Sequence, residues 1–218
     1  MGERGDAPQL RAAFPAPVLA VVLAGGLGRR MGGIDKPLAL LGGRPLLRHI
    51  LDRLAPQVAG LALNANGEPD RFRAFGLPVL PDSLPDRPGP LAGILAALDW
   101  AAAAGAGHVL TVPGDAPFLP GDLAARLAEQ VAAGAPAAIA ISAGRRHPTA
   151  GLWPVAARDD LRRALVHDGL RRVDDWASAL GAVPVAFAVG ALDPFFNINS
   201  PDDLAEAERL LGRAGRRR

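Results

Sequence analysis

Residues 17–36 read PVLAVVLAGGLGRRMGGIDK, and this stretch sets the architecture predicted for the whole chain. The apolar run over residues 17–23 is typical of a fully buried strand. The glycines that follow let the backbone approach a phosphate chain and present N–H groups to it. Arg30 and Lys36, at the far end of this glycine-rich loop, can neutralise phosphate charge, arginine as a planar fork and lysine as a point charge. The stretch therefore predicts a buried strand followed by an anion-binding loop.

The glycine-rich loop does not fit the two commonest nucleotide-binding motifs. It lacks the Gly-Lys-Ser/Thr ending of a P-loop, and Met31 stands where the dinucleotide fingerprint needs Gly or Ala. Lys36 is the only lysine in a chain that otherwise uses arginine, which indicates a site that needs a compact charge. The alternative, a flexible surface turn, does not account for a buried strand before the loop and a unique lysine after it.

Short apolar runs alternate with helical patterns along the rest of the chain, which predicts βαβ units and a mostly parallel sheet. After Ser142 the pattern loosens, and residues 145–153 are predicted to form an antiparallel strand. The other predicted strands cover residues 17–23, 61–63, 79–80, 108–112, 137–142 and 183–189. Helices are predicted over residues 45–54, 68–75, 91–104, 121–133, 155–165, 173–180 and 201–211.

The length of 218 residues suits one domain with a sizeable core, and no linker rich in glycine and serine divides it. We predict a single domain over residues 17–212. Residues 1–16 are polar and interrupted by proline, which predicts a disordered extension, and residues 213–218 form a basic tail.

Composition argues against several classes of protein. The net charge is only +2, and no basic face with interleaved aromatic residues suggests nucleic-acid binding. The absence of cysteine excludes disulfides and thiolate metal sites. No apolar run approaches the about 20 residues needed to span a bilayer, so we expect a cytoplasmic protein without membrane contact.

Polar groups follow four consecutive predicted strands. The glycine-rich loop follows the first strand, Asn64 the second, Asp82 the third and Asp115 the fourth. In open parallel sheets, ligands bind outside the carboxyl ends of the strands. The sequence therefore predicts a binding site at this edge, although each of these side chains taken alone could be an ordinary turn residue.

The predicted site contains a candidate metal ligand. Asp115 lies in Pro113-Gly114-Asp115-Ala116-Pro117, where a carboxylate at a strand end is well placed to bind Mg²⁺ together with phosphate oxygens and water. Asn64 and Asp82 carry hydrogen-bonding groups suited to a nucleobase or ribose.

Residues 196–204 read FNINSPDDL and combine a structural and a functional pattern. Ser200 predicts a helix N-cap, and Asp203 completes a capping box. Asn197 and Asn199 precede the cap, and one of them is a candidate ligand of a metal or its bound water; turn formation explains them equally well. His147 has no acidic partner in the sequence, so a substrate contact or a structural role is expected rather than general-base chemistry.

Together these motifs resemble the molybdenum cofactor guanylyltransferase family over residues 18–211, nearly the whole chain. The resemblance is carried, in the family's order and approximate spacing, by residues 23–36, Asn64-Ala65-Asn66, Asp82-Ser83-Leu84, residues 88–93, Asp115-Ala116-Pro117, His147-Pro148-Thr149 and residues 196–201. Gly114 departs from the family pattern, in which cysteine is frequent there, and little effect is expected.

The resemblance implies a Rossmann-like three-layer α/β/α sandwich with a mostly parallel sheet, similar to nucleotide-diphospho-sugar transferases. It implies that GMP passes from GTP to the terminal phosphate of molybdopterin cofactor with release of pyrophosphate, and that partner proteins deliver or receive the cofactor transiently. The candidate catalytic residues are Lys36, Arg30 and Asp115. The resemblance implies Asp115 as a Mg²⁺ ligand, and Asn197 is the candidate second ligand. The implied GTP-binding residues are Leu23, Ala24, Gly25, Gly26, Lys36, Asn64, Asp82 and Asp115. Such a reaction needs no nucleophilic side chain, and we expect no Ser-His-Asp arrangement.

Three alternatives stay open. A cytidylyltransferase acting on the same cofactor would use CTP, but such relatives typically read Leu-Ala-Ala-Gly where this chain has Leu23-Ala24-Gly25-Gly26. Another small-molecule nucleotidyltransferase, such as one acting on sugar 1-phosphates, usually has a longer chain. A catalytically silent nucleotide sensor would not need both Lys36 and Asp115.

Overall fold

The computed structural model describes residues 18–25, 35–84 and 89–215, with the backbone alone for residues 213–215. The strands are β1 (Leu19–Leu23), β2 (Leu40–Leu41), β3 (Arg44–Pro45), β4 (Gly60–Asn64), β5 (Val79–Leu80), β6 (His108–Pro113), β7 (Ala138–Ser142), β8 (Arg145–Pro154) and β9 (Val183–Phe187). The α-helices are α1 (Leu46–Leu54), α2 (Pro90–Ala103), α3 (Leu123–Ala132), α4 (Arg158–Val166), α5 (Val173–Ala179) and α6 (Pro201–Gly215). Short 3₁₀ helices cover Lys36–Leu38, Ala55–Gln57, Pro69–Phe75 and Val155–Ala157.

The main sheet has seven strands in the order β5-β4-β1-β6-β8-β7-β9. β1 pairs in parallel with β4 and with β6, β4 with β5, and β7 with β9. β8 is antiparallel to both of its neighbours, β6 and β7. The predictions of a mostly parallel sheet and of an antiparallel strand after Ser142 are both confirmed.

Strand β1 lies within the sheet and is buried on both faces. Ala20, Val21 and Val22 are all 0% exposed. Because side chains alternate along a strand, Ala20 and Val22 pack in one apolar layer and Val21 packs in the other. Small and β-branched residues without a polar face are what such a doubly covered strand requires.

Helices cover both faces of the sheet, which confirms the predicted three-layer arrangement. The layer with Ala20 and Val22 includes Leu47, Ile50, Leu51 and Leu54 of α1 and Leu123 and Leu127 of α3. The layer with Val21 includes Leu91, Ile94, Leu95 and Leu98 of α2, Leu161 and Leu165 of α4 and Trp176 of α5.

A third, smaller apolar cluster joins the β2–β3 hairpin to helix α6. It comprises Ala39, Leu41, Leu46, Ile198 and Ala207, with Phe118, Phe196, Leu204 and Leu211 packed against it. The backbone N–H of Gly42 donates to Glu208 Oε1 at 2.6 Å, which fastens the turn of the hairpin to α6. The sequence does not predict this hairpin, because strands of two residues are too short to show a hydrophobic period.

Two predicted helices are present but are wholly or partly 3₁₀ helices. Residues 69–75 form a 3₁₀ helix rather than an α-helix, and it ends at Gly76, whose φ of 65° is left-handed. The helix predicted over residues 155–165 is a 3₁₀ turn followed by α4.

The predicted division of the chain is only partly covered by the described residues. The predicted extension, residues 1–16, lies outside them, and so do residues 216–218. Helix α6 continues to Gly215, into the segment predicted as a tail. The single domain over residues 17–212 stays a prediction. Across the part of the chain described, no helix is both long enough and apolar enough to cross a membrane.

Helix α3 is capped by a residue distant in sequence. Asp122 occupies the N-cap position but makes no capping hydrogen bond with its side chain. Instead Gln57, 6% exposed, accepts from the N–H of Ala124 at 3.0 Å and donates to the carbonyls of Arg53 and Pro120. All the hydrogen-bonding groups of this buried amide are satisfied.

Replacing Gln57 by alanine should therefore leave the buried N–H of Ala124 without a partner and lower the free energy of unfolding by about 1–3 kcal/mol. Urea unfolding measures the change. Gln130→Ala, at a partly exposed position on α3, is the matched control. It should change the free energy of unfolding by less than about 0.5 kcal/mol. Equal effects of the two substitutions would contradict the capping role.

Candidate active site

The carboxyl ends of four parallel strands lie side by side at one edge of the sheet. In the strand register Leu23 is the partner of both Asn64 and Pro113, and Asn64 is the partner of Leu80. The residues that follow these four strand ends are therefore neighbours in space. The structure brings together the polar groups that the sequence places after the first four predicted strands.

Backbone hydrogen bonds continue past the end of β1 and fix the start of the glycine-rich loop. The N–H of Ala24 donates to the carbonyl of Asn64 at 2.8 Å, and the N–H of Gly114 donates to the carbonyl of Leu23 at 2.9 Å. Gly25 lies close to the Asn64 side chain, since a Cβ there would be 3.8 Å from its Oδ1. Of the other predicted loop residues, Gly26 and Arg30 lie outside the described residues.

Lys36 and Asp115 face each other at this edge. Lys36 Nζ lies 3.6 Å from Asp115 Oδ2, and their side chains are 19% and 20% exposed. Nζ also donates a short hydrogen bond of 2.6 Å to Asn199 Oδ1. Burial raises the pKa of Asp115, and the nearby Lys36 charge only partly opposes that rise. The carboxylate is thus poorly solvated by water, and Lys36 is the cation beside it among the residues that the structure describes.

The donor set around Asp115 fits a magnesium ion shared with phosphate groups. Mg²⁺ is usually bound through one or two carboxylates, with phosphate oxygens and water completing its octahedron. Within the residues described, no three His, Cys, Asp or Glu side chains cluster to form a ligand cage. Asp115 offers one partly desolvated carboxylate of the kind that a divalent ion would stabilise.

The two asparagines before α6 have different surroundings. Asn199 contacts Lys36, whereas the partly buried Asn197 makes no side-chain hydrogen bond to any described residue. Between them, the N–H of Ile198 donates to the carbonyl of Asp115 at 2.9 Å and ties this loop to the fourth strand end. Metal binding by Asn197 stays a prediction, and Asn199 is an additional site residue that the pattern did not separate from it.

The capping box predicted at the start of α6 is confirmed. The N–H of Asp203 donates to Ser200 Oγ at 3.2 Å, and Asp203 Oδ2 accepts from the N–H groups of Ser200 and Asn199 at 2.9 Å each. The hydrogen bond from the Asn199 backbone is the largest cause of the lowered pKa of Asp203. The cap therefore also fixes the backbone of the residue that contacts Lys36.

Asp82 is held by two asparagine amides. Asn64 Nδ2 donates to Asp82 Oδ1 at 2.9 Å, and Asn66 Nδ2 donates to Asp82 Oδ2 at 2.8 Å. The N–H of Asp82 in turn donates to Asn66 Oδ1 at 2.9 Å. Each carboxylate oxygen keeps a lone pair for a further N–H donor. Asn64 is only 3% exposed, so its side chain orients Asp82 from inside the protein.

Asn66, which belongs to the motif Asn64-Ala65-Asn66, is a further residue at this edge and was not among the predicted site residues. The spacing of two residues places both side chains on the same side of an extended chain. This spacing is the sequence feature from which a shared role of Asn64 and Asn66 could have been predicted.

A serine, a histidine and an aspartate meet behind the loop that leads to Asn199, so the expectation that no such arrangement exists was wrong. Ser142 Oγ lies 2.7 Å from His147 Nε2 and donates to Asp193, whose oxygens are 2.8 and 2.9 Å away. The hydroxyl sits between ring and carboxylate, whereas in a nucleophilic triad the histidine takes that place. His147 stacks on Phe195 at 4.6 Å, and burial lowers its pKa. The group is a structural anchor for this loop.

Residues 20–181 match the family described as MobA-like NTP transferase domain. The chain belongs to this family.

Several curated relatives of this MobA-like chain are about half identical to it. The molybdenum cofactor guanylyltransferases of Rhodopseudomonas palustris (strain BisB5), Mesorhizobium japonicum and Nitrobacter hamburgensis are 53%, 54% and 50% identical over 200, 200 and 202 residues. The matches cover 90%, 89% and 91% of this chain and 95%, 96% and 97% of theirs.

Solved structures confirm the predicted nucleotide-diphospho-sugar transferase-like fold. The molybdopterin-guanine dinucleotide biosynthesis protein A of Archaeoglobus fulgidus is 28% identical, with a TM-score of 0.69 over 90% of this chain and 99% of that one. The 4-diphosphocytidyl-2C-methyl-D-erythritol synthase of Anaerococcus prevotii has a TM-score of 0.72 over 95% and 100% of the two chains at 14% identity, which shows a shared fold alone.

Gly114 has a packing role in this MobA-like domain. A Cβ at this position would lie 2.8 Å from the carbonyl oxygen of Leu23 and 3.2 Å from the Cα of Ala24. Both are backbone atoms at the end of β1, so a side chain would force that strand end to move. The expectation that this departure from the family pattern has little effect stays a prediction.

Gly93 on α2 leaves the space that the Asn64 side chain occupies. A Cβ at Gly93 would overlap Asn64 Oδ1 and lie 3.0 Å from Asn64 Cγ and from Leu23 Cδ2. Glycine-to-alanine substitution inside a helix normally stabilises by about 1 kcal/mol. Here we expect Gly93→Ala to lower the free energy of unfolding by about 1–3 kcal/mol because the site is overpacked.

Chemical denaturation of the single and double variants tests this clash. In an Asn64→Ala background the same Gly93→Ala change should cost less, since the overlapping amide is gone. Equal costs in both backgrounds would show that Gly93 is required for another reason.

The raised pKa of Asp115 makes a prediction about stability and pH. A folded-state pKa above the ordinary value means that the folded protein binds the proton more tightly than the unfolded chain, so stability falls as pH rises through this range. Asp115→Asn removes this titration. The free energy of unfolding of the variant relative to wild type should therefore increase as the pH rises above about 4.

Unfolding without nucleotide or divalent ions measures this difference. Asp122→Asn is the control, because that carboxylate is 60% exposed and the corresponding change should be smaller. A difference for Asp115→Asn that is flat or falls with pH would show that its carboxylate is not destabilised by burial.

Proposed function

We propose that this chain is a molybdenum cofactor guanylyltransferase: it transfers GMP from GTP to the terminal phosphate of molybdopterin cofactor and releases pyrophosphate. The proposal is supported by relatives of that name that match nearly the full length of both chains. The observation that carries it is the ion pair of Lys36 and Asp115 at the carboxyl edge of the parallel strands, 3.6 Å apart and mostly shielded from water. The reaction would take place in the cytoplasm on small-molecule substrates.

The reaction is an in-line displacement at the α-phosphorus of GTP. An oxygen of the acceptor phosphate forms the new bond to phosphorus while the bond to the β-phosphate bridging oxygen breaks, and pyrophosphate leaves with that electron pair. Such transfers depend mostly on positioning and on neutralising phosphate charge. No covalent intermediate with a side chain is needed.

Lys36 would act as the fixed positive charge for the triphosphate. Its hydrogen bond to Asn199 holds the ammonium in place and leaves its other N–H groups for phosphate oxygens. Arg30 is proposed to add a second cation. Asp115 and Asn197 would hold Mg²⁺, which when bound would polarise the α-phosphate and offset charge on the leaving pyrophosphate.

We place the nucleobase against Asp82, which defines the base end of the site, and a carboxylate there suits guanine better than cytosine. Guanine presents two neighbouring N–H donors, its ring N1–H and its 2-amino group, and these match the two oxygens of a carboxylate. Asp82 has both oxygens oriented by Asn64 and Asn66. Cytosine presents a ring acceptor at the corresponding position, which a carboxylate would repel. This complementarity supports GTP as the donor.

The test is a pyrophosphate-release assay with molybdopterin cofactor as acceptor, Mg²⁺, and GTP, CTP or ATP. Wild type should be most active with GTP, and Asp115→Ala should lose at least about a hundredfold in kcat. Asp122→Ala, which removes the exposed carboxylate at the N-cap position of α3, should retain normal activity.

Three outcomes would contradict the proposal. Preferential use of CTP would indicate a cytidylyltransferase, and near-normal turnover by Asp115→Ala would refute the metal-binding role. Nucleotide-dependent thermal stabilisation without any pyrophosphate release would indicate a sensor rather than an enzyme.

A further inference from the structure

Arg71 lies outside the residues assigned above, yet its guanidinium contacts two segments of the candidate site. Its Nε lies 2.7 Å from Asp35 Oδ2, and its Nη2 donates to the backbone carbonyl of Asn66 at 2.6 Å. Asp35 directly precedes Lys36 in the chain. Asn66 is one of the two residues that orient Asp82.

The position of the Arg71 side chain is well determined by its surroundings. The guanidinium lies over the ring of Phe72, 4.8 Å from its centroid, and that phenylalanine is 1% exposed. A Cβ at Gly67, whose φ is +80°, would lie 3.1 Å from Arg71 Nη1, so the turn after Asn66 leaves room for the guanidinium.

The ion pair of Arg71 and Asp35 is less exposed to water than an ordinary surface ion pair. The side chains of Arg71 and Asp35 are 29% and 28% exposed, whereas those of Arg73 and Asp70, paired on the same short helix, are 81% and 75% exposed. Exposed pairs contribute little to stability or to geometry. The partly buried guanidinium donates a hydrogen bond to the Asn66 carbonyl and forms a close ion pair with Asp35, in which Nε makes no aligned hydrogen bond. It therefore contacts both segments at once.

We propose that Arg71 is a positioning residue that joins the phosphate end of the site to the base end. It holds Asp35, and through the adjacent backbone Lys36, at a fixed distance from Asn66 and the carboxylate of Asp82. This inference rests on the proposed function and deepens it. Arginine suits this position because two different nitrogens of its guanidinium contact Asp35 and Asn66, whereas lysine has a single nitrogen.

Arg71→Lys tests the inference, with Arg73→Lys as a matched control on the same 3₁₀ helix. Arg71→Lys should lower kcat/KM for GTP by about tenfold, and Arg73→Lys by less than about twofold. Urea unfolding of both variants separates this effect from a loss of stability. If Arg71→Lys does not fold, Asp35→Ala removes the same contact from its other side and should show the same loss.

Nucleotide selectivity distinguishes positioning from a general structural role. Because Arg71 holds Asn66, and Asn66 orients Asp82, the ratio of kcat/KM for GTP to that for CTP should fall in Arg71→Lys. A residue that only supported the fold would lower both values equally and leave the ratio unchanged, and that result would overturn the inference.

A double variant tests the route through Asp35. Asp35→Ala combined with Arg71→Lys should lose little more activity than the worse single variant, because both changes break the same contact. Losses of activity that multiply in the double variant would overturn the inference.

If the wild-type protein fails to transfer GMP, the proposed function fails and this inference fails with it. If the wild-type protein is active and Arg71→Lys has the same activity and selectivity, this inference fails but the proposed function stands.

Discussion

An ammonium group and a carboxylate lie 3.6 Å apart where four parallel strands end, and both are largely hidden from water. Several parts of the fold hold these two side chains in position. The parallel register places Asp115 beside the end of β1, and the hydrogen bond from Ile198 to Asp115 brings the asparagine-bearing loop to it. Asn199 then holds Lys36 at 2.6 Å. A site that must receive a highly charged phosphate chain needs such charges to be fixed before the substrate arrives.

The charge arrangement has an energetic cost that the fold absorbs elsewhere. Burial raises the pKa of Asp115 despite the neighbouring lysine, so the ionised carboxylate opposes folding. The two large apolar layers and the satisfied amide of Gln57 supply stability away from the site. Nearer to the site, Ser142, His147 and Asp193 form a partly buried hydrogen-bonded group in which the serine hydroxyl contacts both partners. The residues that stabilise the fold thus lie mostly apart from the charged residues of the candidate site.

Much of the architecture could be predicted from the sequence because its signals are local. The apolar run of β1, the alternation of strands and helices, and the polar residues after each strand end are visible within short windows. The long-range contacts that complete the structure are not visible within short windows of sequence. Ser142 and Asp193 are 51 residues apart, and Gln57 and Ala124 are 67 apart, so no local pattern links them. The hairpin of β2 and β3 is too short to show a period, and its conformation comes from packing on α6.

The small apolar cluster that joins the hairpin to α6 has a consequence for biosynthesis. Lys36 precedes its partner Asn199 by 163 residues, and the hairpin that follows Lys36 packs on a helix made later still. As the polypeptide leaves the ribosome, the sheet strands can begin to associate long before the lysine meets its asparagine. The nascent chain therefore cannot assemble this charged centre until the loop that carries Asn199 has been synthesised.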